Sequence, residues 1–167
     1  MREWIPVPGS AKARLIEAAL YEFERTGYEG CNVSDLAAKA GVTTGSLYHH
    51  FGSKLGLYTV VRGDMEKRIT DRMEGAAAAV TDGIGARAAL LVAFDAAVRF
   101  DACRLLGEPA PLDTADPVEA TIRALLPDHL RVAGVVLAAA WRAALLSVAD
   151  GAPAESARGA LEYVLQE

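Results

Sequence analysis

Residues 33–51, VSDLAAKAGVTTGSLYHHF, decide the fold. Val33, Leu36, Ala37 and Ala40 recur at the spacing of one helical face, which predicts a short amphipathic helix. Gly41 ends that helix, at a position where a left-handed cap has no Cβ to accommodate. Thr43 can cap a second helix that closes near Phe51, with Val42 and Leu47 turned to the core. Ala37 is small where the second helix must cross the first. Two short helices pinched by a turn of a few residues make a helix-turn-helix unit, whose second helix suits a DNA groove.

Working outward, Ser10 caps a predicted helix over 11–26, with Leu15, Ile16, Ala19, Leu20 and Phe23 on one face, and Gly27 stops it. Residues 1–9 read as an irregular arm. Ser53 caps a longer helix over 54–79, with apolar positions at Leu57, Tyr58, Val61, Met65, Ile69 and Met73. Gly83 and Gly85 punctuate the chain before a predicted helix over 86–106. Residues 107–117, GEPAPLDTADP, form the clearest loop. Asp116 and Pro117 open a helix running to about 126. The most apolar helix spans 129–149, and Asp150-Gly151-Ala152-Pro153 separates it from a last helix over 154–166. The pattern predicts an all-α protein: a three-helix head with the helix-turn-helix over residues 1–52, and a helical body over 53–167.

Composition agrees with a packed helical chain. Of 167 residues, 52% are hydrophobic and 23% charged, which is a globular balance. The net charge of −5 is unevenly spread: residues 1–68 hold nine Lys/Arg against eight Asp/Glu, whereas 69–167 hold eight against fourteen. A DNA-binding head is compatible with this, because phosphate attraction depends on which face carries the cations. Cys31 and Cys103 lack C-x-x-C spacing and clustered histidines, so neither a disulfide framework nor a metal site is expected. The prolines of MREWIPVPGS replace an apolar signal core, and the longest apolar stretch, 132–141, is stopped by Arg142 short of the ~20 residues a bilayer requires. A cytoplasmic, nucleoid-associated protein with no membrane partner and no cofactor is expected.

The stretch GYEGCNVSDLAAKAGVTTGSLYHHFGSKLGL, residues 27–57, resembles the TetR family of bacterial transcriptional regulators. Its Gly-Tyr, Val-x-Asp-Leu-Ala, Ala-Gly-Val, Gly-Ser-Leu-Tyr-His-x-Phe and Ser-Lys elements occur in order and without gaps. Two departures stand out. Cys31-Asn32 replaces a common hydroxyl pair, and Leu55-Gly56 replaces a usual acidic-polar pair. The resemblance implies that Thr43, Thr44, Gly45, Ser46, Tyr48 and His49 lie on or beside the DNA-facing side of the recognition helix. Gly45 would let the backbone sit deep in the groove, Thr44 would meet a base edge, and Tyr48, His49 and Lys54 would bond phosphates. Lys39 is a further DNA-contact candidate, weighed against a solvated charge.

The same resemblance implies a twofold homodimer on a double-stranded, inverted-repeat operator, joined through the last two helices. Ala138, Trp141, Leu145, Leu146 and Leu161 are the candidates for that interface, against a reading of the apolar helix as plain core. A small-molecule effector of unknown identity, bound in the body, would release a repressor from DNA. Met65, Met73, Phe94, Phe100, Cys103, Leu106 and Trp141 are its candidate pocket, with Arg99, Asp101 or His129 as polar handles. Two other classes compete. An enzyme would need a base, a nucleophile and an anion-stabilising group. The acidic set Asp95, Asp101, Glu108, Asp113 and Asp116 lacks histidine partners at ligand spacing, and no phosphate loop is present, so no catalytic residue is expected. A helical architectural or partner-recruiting DNA-binding protein without an effector is the alternative.

Overall fold

The structure, a computed structural model, describes residues 7–80, 85–111 and 114–166. Residues 1–6 of the expected arm, Gly83 and Asp113 lie outside them. The described residues form helices and no strand: α1 (Ala11–Gly30), α2 (Val33–Lys39), α3 (Thr44–Phe51), α4 (Lys54–Ala78), α5 (Gly85–Arg99), α6 (Cys103–Gly107), α7 (Pro117–Leu125), α8 (Ala133–Ala149) and α9 (Ala154–Val164). The fold is all-α, as the periodicity predicts. The chain divides into two compact units between Gly63 and Asp64, inside α4. The head thus reaches past the expected boundary at 52/53, because Leu57, Tyr58 and Val61 are buried and fall on its side of the division.

In the first unit α1, α2 and α3 pack on one another around Leu15, Ala19, Phe23, Leu36 and Leu47, all buried. Ser10 caps α1 by accepting the Ala13 N–H at 3.2 Å, and Gly27, at φ 72, interrupts the helix where the sequence predicts its end. Phe23, Tyr28 and Tyr58 form an aromatic cluster, with Tyr58 edge-on to both other rings at 4.9 Å.

The second unit is organised on α8, against which α5, α6, α7 and α9 all pack. Trp141 and Leu145 of α8 are fully enclosed, as are Leu90 of α5, Leu105 of α6 and Ile122 of α7. Burying each such side chain is worth about 1.5–3 kcal/mol. Arginines stitch the loops to this core. Arg142 of α8 donates to the Leu106 carbonyl and pairs with Asp116 at 2.6 Å. Arg104 of α6 reaches the Ala149 carbonyl at 2.9 Å and Asp150 at 2.8 Å.

Two boundaries differ from expectation. The helix predicted over 86–106 breaks after Arg99. Asp101 takes φ 52, and the Asp101 and Ala102 N–H groups turn back to the Val98 and Ala97 carbonyls. That is a helix-ending Schellman pattern with aspartate in the place glycine usually holds. The helix predicted from 129 starts only at Ala133, after a separate 3₁₀ turn over Asp128–Leu130. Among the described residues no helix is long and apolar enough to cross a membrane.

Candidate nucleic-acid interface

The expected recognition helix, α3, is positioned by local caps and one long-range strap. Asn32 opens α2 by accepting the N–H groups of Ser34 at 2.8 Å and Asp35 at 3.2 Å. Gly41, at φ 65, closes it, with the Gly41 and Val42 N–H groups bonded to the Ala38 and Ala37 carbonyls. Arg14 of α1 donates to the Ala40 carbonyl at 2.9 Å and so holds this turn from the far side. Thr43 then caps α3 through its hydroxyl, which accepts the Ser46 N–H at 3.2 Å.

Leu47 anchors α3 in the head with no exposed surface. The opposite side stands in solvent. Thr43, Thr44, Gly45, Tyr48 and His49 are exposed, and Ser46 is half-buried at the edge. His50, which the sequence reading left off the candidate set, is exposed beside them, its ring 5.2 Å from that of His49. Among the described residues no group of three His, Cys, Asp or Glu could hold a metal ion.

The two candidate lysines both meet partners within the first unit, Lys39 from an exposed position and Lys54 from a half-buried one. The Lys39 ammonium lies 3.2 Å from a Glu22 oxygen and over the Tyr21 ring. Burial pushes the Glu22 carboxyl up, but hydrogen bonds from Arg25 and Lys39 outweigh this and hold its pKa below the ordinary value. The Lys54 ammonium donates to the Tyr28 carbonyl at 2.8 Å and the Cys31 carbonyl at 3.2 Å, and sits 4.4 Å from the Tyr28 ring centroid. It therefore ties the first turn of α4 to the junction of α1 and α2. Burial raises the pKa of the Cys31 thiol and keeps it protonated, against the opposing charge of Lys54.

In the second unit most of the effector candidates are core. Met65, Met73, Phe94, Cys103, Leu106 and Trp141 are buried, and Phe100 is half-buried under the Arg72 guanidinium at 4.6 Å. The proposed polar handles are corrected: Arg99, Asp101 and His129 are exposed and do not enter that core. Among the described residues, the buried side-chain polar atom without a hydrogen-bond partner is instead Trp141 Nε1. A separate cleft of about 810 Å³ is lined by Asp116, Glu119, Arg123 and Arg131, and it includes none of the candidates.

The dimer candidates need a similar correction. Ala138, Trp141, Leu145 and Leu161 are buried within the protomer, so they are core residues, and only Leu146 is half-exposed. The outward side of α8 carries Val135, Val136, Ala139 and Ala143, with Val132 exposed just before it, and that of α9 carries Gly159, Ala160 and Tyr163. Val132 is 79% and Tyr163 76% exposed, which is far from the usual fate of large apolar side chains.

Comparison with known proteins places these features. Residues 15–61 match the profile "Bacterial regulatory proteins, tetR family". The HTH-type transcriptional repressor SCO4008 of Streptomyces coelicolor is 36% identical over 64 residues, which is 38% of this chain and 32% of that protein. The HTH-type transcriptional repressor KstR2 of Mycolicibacterium smegmatis is 43% identical over 47 residues, 28% of this chain and 23% of that protein. The chain thus spans about a quarter to a third of the length of these curated relatives. A TetR-like transcriptional regulator from Rhodococcus sp. RHA1 superposes with a TM-score of 0.70 at 18% identity, covering 97% of this chain and 96% of that one, which establishes a shared fold. Residues 15–61 thus match the head of the bacterial tetR-family regulatory proteins, and the chain over nearly its whole length shares the fold of a TetR-like regulator.

Proposed function

We propose that this chain is a sequence-specific, DNA-binding transcriptional regulator. It acts as a repressor bound as a homodimer to an inverted-repeat operator and released by a small molecule. The observation that carries the reading is the outward side of α3. Thr43, Thr44, Gly45, Tyr48, His49 and His50 stand in solvent on a helix anchored behind by Leu47. Hydroxyls and imidazoles suit both base edges and phosphate oxygens, and the bare backbone at Gly45 allows close approach to a groove floor. Ser46 contributes from the edge. Lys39 and Lys54 act behind this face, as supports of the helices that carry it.

One recognition helix reads too few base pairs for useful specificity, and a second copy supplies the other half-site about 34–36 Å away. The apolar stripes of α8 and α9 support association through those helices. A small residue such as Ala139, Ala143, Gly159 or Ala160 lets a facing helix approach closely. For the effector, the enclosed Trp141, with its unpaired indole N–H, supports an apolar molecule that carries a hydrogen-bond acceptor.

Selection of bound duplexes from a random pool tests the core of this reading. Enrichment of a single inverted repeat is expected. A pool that stays unenriched, or broad protection without a repeated half-site, would refute it.

A further inference from the structure

We propose that Gly56 is a positioning residue for DNA recognition: it lets the first turn of α4 lie against the end of the recognition helix and so sets the angle at which α3 is presented. This rests on the DNA-binding reading above. An ideal Cβ at position 56 would stand 2.0 Å from the Phe51 carbonyl oxygen and 3.2 Å from its carbon. The obstacle is backbone, not the far end of a flexible side chain, so it cannot rotate away.

The connection between the two helices is short and held at both ends. Phe51 is the last residue of α3, and Gly52 at φ 75 reverses the chain. Ser53 then accepts the Gly56 N–H at 2.9 Å and so closes the first turn of α4. That turn is pinned by Lys54, whose ammonium bonds the Tyr28 and Cys31 carbonyls. Any group larger than hydrogen at position 56 must therefore push on Phe51. Carbon and oxygen in contact need roughly 3 Å, so an alanine displaces the end of α3 by about 1 Å. A binding constellation tolerates errors of only about 0.5 Å. The last turn of α3 is where Tyr48, His49 and His50 stand exposed. The other glycines of α4 have no such duty: Gly63 and Gly75 have nothing within 4 Å of an added Cβ.

The test compares G56A, G52A and G63A in the full chain, on the operator selected from a random pool and on a random-sequence duplex. Gly52 is a matched control, because an added Cβ there meets nothing while its positive φ makes alanine costly. We expect G56A to fold, with the helicity of the wild type, yet to bind the operator at least tenfold more weakly. Its preference for operator over random duplex should shrink by a similar factor. G52A and G63A should keep the wild-type preference. If G56A keeps that preference and loses affinity only in step with its unfolded fraction, Gly56 is merely structural and the proposal falls. Failure of G56A to fold where G52A folds would overturn it as well, because the strain would then spread through the head instead of reaching α3. A wild type that selects no duplex indicts the DNA-binding reading itself, which keeps the two failures apart.

Discussion

Replacing Lys54 by methionine separates a strap inside the head from a contact to DNA. The methionine keeps most of the apolar stem and removes the ammonium. Two hydrogen bonds disappear, to the Tyr28 carbonyl at 2.8 Å and the Cys31 carbonyl at 3.2 Å, together with the cation over the Tyr28 ring. A hydrogen bond from a charged donor contributes about 1.5–3 kcal/mol when buried, and the cation–π contact about 0.5–1 kcal/mol. Lys54 is half-buried, so solvent screens both and hydrates the freed carbonyls. A loss of about 2 kcal/mol in urea unfolding is expected. The second measurement is the dependence of duplex affinity on salt. Loss of a side chain that neutralises a phosphate lowers the steepness of log affinity against log salt by about one per protomer. Loss of a strap leaves it unchanged. A K54M protein with wild-type stability and a slope lowered by one would refute the strap and return Lys54 to the phosphate backbone.

Three further outcomes follow from the same geometry. Asp116 both caps α7, accepting the Val118 and Glu119 N–H groups, and pairs with Arg142, so D116A should cost about 3 kcal/mol in urea unfolding and D116N, which keeps the cap, about 1–2 kcal/mol. Equal losses in the two variants would show that the cap contributes nothing. Glu22 has a lowered pKa in the fold, so its stabilisation is present above its ordinary value of 4.5 and is lost as pH falls through the folded value. E22Q should therefore be about 1–2 kcal/mol less stable at neutral pH, with the gap closing in acid, and a pH-independent difference would contradict the ion pairs. On the outward side of α8, V136D should yield a folded monomer by sedimentation with at least a hundredfold weaker operator binding, and a persistent dimer would move the interface elsewhere.

Most of the head was legible in the chain because its signals are local. Asn32, Gly41, Thr43 and the Leu47 spacing act over a few residues, and the structure places each in the expected job. The Asp116-Pro117 helix start was readable for the same reason. The break at Asp101 was not, since aspartate replaces the glycine that normally marks a left-handed cap.

The sequence by itself specified the helix-turn-helix unit and the caps around it, because hydrogen bonds within one or two turns and apolar periodicity set them. Only the tertiary structure shows which partners the long side chains meet within the chain. Lys39 and Lys54 meet Glu22 and the carbonyls of Tyr28 and Cys31, partners 17 to 26 residues away, so no local pattern could tell a phosphate ligand from an internal tie. The apolar α8 posed the same difficulty. Hydrophobic almost all round, it could have turned either side inward, and packing against α5, α6, α7 and α9 put Trp141 and Leu145 inside while leaving Val135 and Val136 in solvent. Those choices depend on which surfaces meet after the chain has folded.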